Sequence, residues 1–299
     1  MNNNDILVVS HSDLDGITSY LVLCWALGKK LPVKFTTPRT LVADYENICK
    51  RETWKKIFFL DLDVSAIGED IDKPTTVIFD HHKTNIYQFK SATAKVQDDT
   101  SCAKLLYNSF WKENSKLAPL SQSRKTLIAL ADDQDSGNNK IVLSRELNIV
   151  FHSMTNKLVS FVEEYYDGFK PFDKFQQNTI TLYEKHCREY IEALNLYRGE
   201  VTFAGQEDVK VIAVFCDKFV QECCDYILSA TDADVAIAVL VDKQRIVVRR
   251  HPNNTTLDVS AFTQRIASGG GHAAAAGGSL TEDFMDFTKL LKPFWAQTK

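Results

Sequence analysis

Three short apolar runs in the first 80 residues stop abruptly at acidic or imidazole side chains. No other feature limits the folds open to this chain as much. Residues 6–9 lead into His11, Asp13 and Asp15, residues 57–60 into Asp61, and residues 77–79 into Asp80, His81 and His82. Runs this short, rich in β-branched and aromatic residues, read as buried strands at 5–10, 57–61 and 76–80, with a further strand at 33–36. Helical patterns fill the gaps at 16–29, 41–52, 100–112 and 122–132. This alternation predicts an α/β fold whose parallel sheet is covered by helices on both faces. Parallel strands place their C-terminal ends on one edge, where ligands bind in open α/β sheets, so the three acidic ends are expected to converge there.

Beyond residue 140 the pattern changes. Leu143, Leu147, Val150, Phe151 and Met154 keep helical spacing, and Leu158, Phe161 and Val162 continue it. A break follows at Asp167-Gly168 and Pro171, and 175–197 reads as another helix. Strand-like runs return at 201–203, 209–215, 235–241 and 245–250, with helices at 219–229 and 259–266. The chain therefore divides into an N-terminal parallel-sheet domain (1–140), a helical connector (141–199) and a smaller C-terminal α/β domain (200–299).

Charge and cysteine usage narrow the function classes. The formal charge of −4 over 299 residues argues against a broad basic field for long duplex nucleic acid. It leaves room for a small phosphorylated substrate, because divalent ions can neutralise a cluster of carboxylates locally. The seven cysteines form no Cys-x-x-Cys pair and several sit in apolar runs, which fits a reducing cytoplasm and disfavours a zinc ribbon. No apolar run reaches the length of a membrane span, and the Asn-rich start lacks the form of a signal peptide. A cytoplasmic protein without a membrane partner is expected.

The pattern His11-x-Asp13-x-Asp15 offers one nitrogen and two hard oxygen donors that would point one way from an extended chain. Such mixed ligation suits Mn²⁺, Mg²⁺ or Fe²⁺. The same residues also read as a turn and a helix start with Asp15 as the cap. Asp61 reads either as an edge-loop carboxylate or as the bridge that a second metal ion needs. In Asp80-His81-His82, adjacent side chains of an extended chain diverge, so one imidazole is expected to bind metal and the other to meet substrate or an orienting hydrogen bond. Gly269-Gly270-Gly271-His272, followed by four alanines, reads either as a linker or as an anion cradle near the start of a short Ala helix. Arg249 and Arg250 end the strand before it, and strand alternation lets only one of them face a ligand.

Together these motifs resemble those of the DHH phosphoesterases. His11-x-Asp13-x-Asp15-Gly16, Asp61, Asp80-His81-His82 and Ala131-Asp132 look like the family's four ordered motifs, and Gly269-Gly270-Gly271-His272 with Ala275-Ala276-Gly277 looks like the signature of its C-terminal DHHA1 domain. The resemblance implies an Mn²⁺-dependent phosphoesterase with two divalent ions, Mg²⁺ being the alternative ion, and a substrate cleft between the domains. By motif, His11, Asp13 and Asp61 would hold one ion, and Asp15, Asp61, His81 and Asp132 the other. Asp80 would orient its neighbours and His82 would face the scissile phosphate. Asp133 and Asp135 compete with Asp132 for the fourth motif, and Asp132 is preferred because it follows the helical run ending at Ala131.

The expected activity is metal-dependent hydrolysis of short single-stranded oligonucleotides to nucleoside monophosphates. Arg249, Arg250, Gly269, Gly270, Gly271 and His272 are the candidate substrate contacts, and a homodimer is compatible with this reading. The alternatives are a phosphatase or phosphodiesterase on a small nucleotide (3′-phosphoadenosine 5′-phosphate, or a linear or cyclic dinucleotide), a pyrophosphatase or polyphosphatase, and a non-catalytic nucleotide-binding protein.

Overall fold

The computed structural model describes residues 5–49, 54–113, 117–136, 140–203 and 206–280. The chain divides into two units, Met1–Thr181 and Leu182–Lys299.

The first unit is built on a five-stranded parallel sheet in the order β2-β1-β3-β4-β5. In chain order its elements are β1 (Ile6–His11), α1 (Leu14–Leu27), β2 (Val33–Thr36), α2 (Leu41–Asp44), β3 (Lys56–Leu60), α3 (Gly68–Ile71), β4 (Thr76–Asp80) and β5 (Thr93–Val96). They continue with α4 (Cys102–Tyr107), α5 (Gln122–Asp135), α6 (Val142–Ser153) and α7 (Lys157–Tyr165). α1 is apolar on every side because it is buried on every side, from Leu14 to Trp25, packed between β1, α4 and α5. On the opposite face Leu7, Val9, Phe59 and Ile78 pack with Leu41, Ile67 and Ile71 of the short helices. Strand alternation thus gives the sheet its two covered faces.

Several expected boundaries shift. The helix expected at 41–52 is α2 followed by a wider π-type turn, Tyr45–Cys49, and its last residues, 50–52, lie outside the described residues. α5 runs to Asp135, three residues past the expected end. The edge strand β5 carries no apolar signal because it is largely exposed. The segment read as a connector supplies α6 and α7 to the first unit, while α8 (Lys174–Glu192) spans the division between the units.

The second unit is a six-stranded mixed sheet, β10-β11-β9-β8-β7-β6, in which only β7 and β8 pair in parallel. Its elements are β6 (Leu196–Phe203), β7 (Gln206–Phe215), α9 (Val220–Ala230), β8 (Val235–Leu240), β9 (Arg245–Arg250), α10 (Val259–Ile266), β10 (Ser268–Gly271) and β11 (Ala275–Ser279). Alternate residues face alternate layers. Val235, Ile237 and Val239 pack with Val259 and Phe262 of α10, whereas Ala236 and Ala238 pack with Cys223, Cys224 and Ile227 of α9.

The Ala helix expected after Gly271 is absent: Ala275–Ser279 is a strand, paired with β9 on one side and β10 on the other. Four alanines cannot offset the cost of nucleating a helix, whereas two flanking strands satisfy their backbone groups. The glycines serve this close pairing. A Cβ on Gly269 would lie 2.2 Å from the Gly277 carbonyl oxygen, and one on Gly271, whose φ is +147°, would lie 2.7 Å from that of Ala275. Among the described residues no helix is long and apolar enough to cross a membrane.

Candidate metal centre

His11 ends β1, and the chain then turns instead of remaining extended. Asp13 caps α1, its Oδ1 accepting from the Gly16 N–H at 2.9 Å, so Asp13 rather than Asp15 is the cap. Asp15 lies in the first helical turn, buried, where its two oxygens accept from the Cys102 and Ala103 amides at the start of α4, at 2.7 and 3.0 Å. Gly16 permits the tight exit, since a Cβ there would sit 2.3 Å from the His11 carbonyl oxygen. His11 Nδ1 comes to 2.8 Å from Asp13 Oδ2.

Asp61 follows β3 with a left-handed backbone (φ +57°), a conformation that Asp and Asn tolerate better than other non-glycine residues. Its backbone N–H still donates to the Phe79 carbonyl at 2.9 Å, so the turn aims the side chain while keeping the ladder. The carboxylate is 1% exposed, with Oδ1 3.1 Å from His81 Nε2 and Oδ2 3.6 Å from His11 Nδ1, and neither oxygen accepts a hydrogen bond.

The expectation that His81 and His82 diverge is overturned. β4 ends at Asp80, so both imidazoles lie beyond the strand, and the two rings lie with centroids 4.6 Å apart. Asp61, His81 and His82 each bring a ligand atom within 4.8 Å of the others. Asp80 is fully buried. Its Oδ1 lies 2.7 Å from His82 Nδ1, and its Oδ2 accepts from Asn85 Nδ2 at 2.8 Å. The carboxyl is held below its usual range: burial opposes the charge, but the His82 and Asn85 hydrogen bonds outweigh burial. An ionised Asp80 fixes the proton of His82 on Nδ1.

The structure does not bring Asp132 into this cluster. Its Oδ1 accepts from the Ser101 amide at 3.1 Å, and its Oδ2 lies 3.5 Å from Lys104 Nζ. Asp133 points elsewhere, accepting from the Lys140 and Ile141 amides and the Ser144 hydroxyl at the start of α6. Asp135, one turn beyond Asp132, reaches His81, its Oδ2 3.5 Å from Nε2. Helix geometry explains the choice. Asp135 lies four residues past the buried Ala131, on the same face, whereas Asp132 lies next to Ala131 and is turned about 100° from it. Asn85 and the amides of Cys102 and Ala103 had no signal in the sequence, because loop and backbone partners leave none.

Carboxylates outnumber cations here, and the titration of the cluster reflects it. Burial works against the charged His11 and His81 rings but is outweighed by the Asp13 and Asp61 carboxylates at His11, and by Asp61, Asp135 and Asp15 at His81, pushing both up to about 10. Asp135 is pushed up to about 7 by burial, with the Asp61 and Asp13 charges adding to it against the pull of His81. Asp15 is raised by burial and by Asp61 and Asp135. Asp13 goes the other way, to about 2, because its bond and charge pairing with His11 overcome burial. Positive charge placed among these groups is strongly favoured.

Three groupings have ligand atoms mutually within 4.8 Å: His11, Asp13 and Asp61; Asp61, His81 and His82; and Asp15, His81 and Asp135. Imidazole nitrogens and carboxylate oxygens form the donor set of a hard or borderline divalent ion. The two Asp61 oxygens, buried without a well-aligned hydrogen bond, are what a shared metal ligand would leave behind. The residues present fit divalent metal ions.

In the second unit, Arg249 and Arg250 do point to opposite faces of β9. Arg249 Nη1 lies 3.7 Å from Asp225 of α9, and Arg250 Nη1 donates to the carbonyls of Asn254 and Leu257 at 3.0 and 3.1 Å. Arg250 thus ties down the loop before α10. Gly269, Gly270 and Gly271 form β10, and His272 begins the turn into β11.

A model of the DHH family, N-terminal domain, matches residues 5–131. Oligoribonuclease NrnB of Bacillus subtilis (strain 168) is 24% identical over 301 residues, covering 92% of this chain and 72% of that protein. The pGpG-specific phosphodiesterase PggH of Vibrio cholerae has a TM-score of 0.56 at 14% identity, covering 95% of this chain and 96% of the other. The exonuclease RecJ bound to manganese has a TM-score of 0.54 at 15% identity, covering 95% of this chain and 88% of the other.

Proposed function

We propose that this chain, whose residues 5–131 match the N-terminal domain of the DHH family, is a DHH phosphoesterase that hydrolyses short single-stranded oligonucleotides to nucleoside monophosphates with two divalent ions, Mn²⁺ first and Mg²⁺ as the alternative. His11, Asp13 and Asp61 would hold one ion, and Asp15, Asp61, His81 and Asp135 the other, with Asp61 shared. The observation that carries this reading is the Asp61 carboxylate, buried without a well-aligned hydrogen bond and surrounded by imidazoles and carboxylates from three strand ends and a helix end. Bound there, divalent ions supply a water ionised near neutral pH and offset charge on the phosphate oxygens.

The chain's own residues then have defined work. Asp15 is locked by two backbone amides and Asp13 by the first turn of α1, so both carboxylates keep fixed positions. Asp80 holds His82 with Nδ1 protonated and raises its pKa, against the effect of burial, so the Nε2 side can give a proton or a hydrogen bond to a phosphate oxygen. In the second unit, substrate contact is assigned to one of Arg249 and Arg250 and to the segment Gly269, Gly270, Gly271 and His272. Arg249 is the better candidate, because Arg250 is engaged by two carbonyls. Among the described residues, six buried free cysteines fit a reducing cytoplasm.

A second substrate class, linear dinucleotides, is favoured by the likeness to PggH, whose name states pGpG specificity. A product time course with Mn²⁺ separates the two, using 5′-labelled RNA and DNA from two to ten nucleotides beside 3′-phosphoadenosine 5′-phosphate and cyclic dinucleotides. Mononucleotide release that stops on chelation is expected. No product from any of these with either Mn²⁺ or Mg²⁺ would refute the proposal.

A further inference from the structure

Asp61 and His82 follow neighbouring strands, β3 and β4, and both sit past the strand ends. The register of the two strands ends at Leu60 opposite Phe79. Beyond that point the two loops are joined by side chains, and Asn85 is at the centre of the joint.

Asn85 is 8% exposed. Its Nδ2 donates to Asp80 Oδ2 at 2.8 Å and to the Leu62 carbonyl at 3.4 Å. Its Oδ1 lies 3.4 Å from the Ser65 hydroxyl, which is also 3.3 Å from the Thr84 carbonyl and accepts from the Ile86 N–H at 3.1 Å. Chemistry fixes which way the amide points: an ionised carboxylate and a carbonyl only accept, so both must meet the NH₂ end. The Asn85 backbone N–H donates to the His82 carbonyl at 3.1 Å and closes the turn 82–85. One residue thus grips Asp80 before the turn, His82 at its start, and Leu62, the residue after Asp61.

The consequence falls on the His82 ring. Asp80 is fully buried, and its Oδ1 lies 2.7 Å from His82 Nδ1. A carboxylate bonded at one oxygen can swing about its last torsion. Bonded at both, it presents Oδ1 in one direction and the imidazole follows. The bond to Leu62 ties that direction to the loop carrying Asp61. Few side chains could replace this amide: Asp lacks the donors, and Ser has one proton for two acceptors. We propose that Asn85 is a positioning residue for the hydrolysis, fixing the Asp80–His82 pair against Asp61 so that the imidazole addresses a phosphate at the metal centre. This inference rests on the phosphodiesterase reading of the same site.

Lost stability alone would not separate positioning from packing, so the test reads His82. The first measurement needs neither metal nor substrate. In the metal-free full-length protein, the His82 Nδ1–H bonded to Asp80 should give an exchange-protected, downfield imidazole proton resonance, identified by its loss in His82→Gln. Asn85→Ala should broaden or remove that resonance and keep the dispersed amide spectrum of a folded chain. The second measurement is turnover of a dinucleotide at saturating Mn²⁺. Asn85→Ala should lower kcat about 10–100-fold, with KM within about twofold. In a His82→Gln background the same substitution should cost less than about twofold, because the ring it positions is gone. Should Asn85→Ala not fold, Asn85→Ser is read in the same way. A wild type without the protected proton, its survival in the Asn85 variant, or an equal loss of kcat with and without His82 would each overturn the assignment. Absence of turnover in wild type defeats the phosphodiesterase reading, whereas normal turnover with equal losses defeats only the role of Asn85.

Discussion

Asp61 is where the metal assignment can be broken most cleanly. The substitution is Asp61→Asn rather than Asp61→Ala, because the backbone there has a φ of +57°, which Asn adopts nearly as readily as Asp and Ala does not. Asn keeps the shape of the buried side chain and removes the charge. A metal ion at about 100 times its dissociation constant stabilises the fold by about 2.7 kcal/mol. For a unit of the size of Met1–Thr181 that is roughly 5–10 °C in midpoint per ion, and roughly 10–20 °C for two. Asp61 belongs to two of the three ligand groupings, whereas Asp13 and Asp135 belong to one each. Thermal unfolding with and without Mn²⁺ should therefore show nearly the whole shift lost in Asp61→Asn and about half retained in Asp13→Asn and in Asp135→Asn. A full Mn²⁺ shift in Asp61→Asn would refute the shared-ligand reasoning. Equal partial losses in all three variants would refute the division into two sites.

Two further outcomes follow from the same cluster. Asp135→Asn should weaken Mn²⁺ binding and turnover together. Asp132→Asn, whose carboxylate is bonded to Ser101, Thr100 and the part-exposed Lys104 among the described residues, should leave both intact and cost less than about 1 kcal/mol in a denaturant titration; the reverse ranking would return the fourth-motif role to Asp132. Metal uptake should also release protons, because without metal His11 and His81 are raised to about 10 and Asp135 to about 7, so all three hold protons near neutrality that a metal ion must displace. Affinity then rises with pH through this range, and calorimetry in buffers of different ionisation enthalpy counts the protons; no buffer dependence would contradict the ligand set.

The parallel sheet and its acidic edge were legible because burial on both faces leaves strands as unbroken apolar runs, and the residue that ends each run is forced to the common edge. That rule brings His11, Asp61 and His81 to the edge, and the left-handed turn at Asp61 then aims its carboxylate. What the rule misses is set by the turns just past the strand ends. Asp13 and Asp15 converge through a helix cap and a helical turn, and His82 joins His81 beyond the end of β4 at Asp80. Period-two reasoning ends where the strand ends.

At the fourth motif the sequence left three candidates open for a different reason. Asp132, Asp133 and Asp135 are alike in chemistry and adjacent in sequence, so only their angle around α5 separates them. That angle gives each a separate duty: Asp132 anchors the start of α4, Asp133 anchors the start of α6, and Asp135 faces His81. In the C-terminal hairpin, composition misled because Gly and Ala are small before they are helical or flexible. What β10 and β11 require is close backbone approach, with Gly269 opposite Gly278 and Gly270 opposite Gly277. A side chain larger than hydrogen at Gly269 would have to part those two strands, so this glycine is needed by the sheet whether or not an anion ever reaches the hairpin.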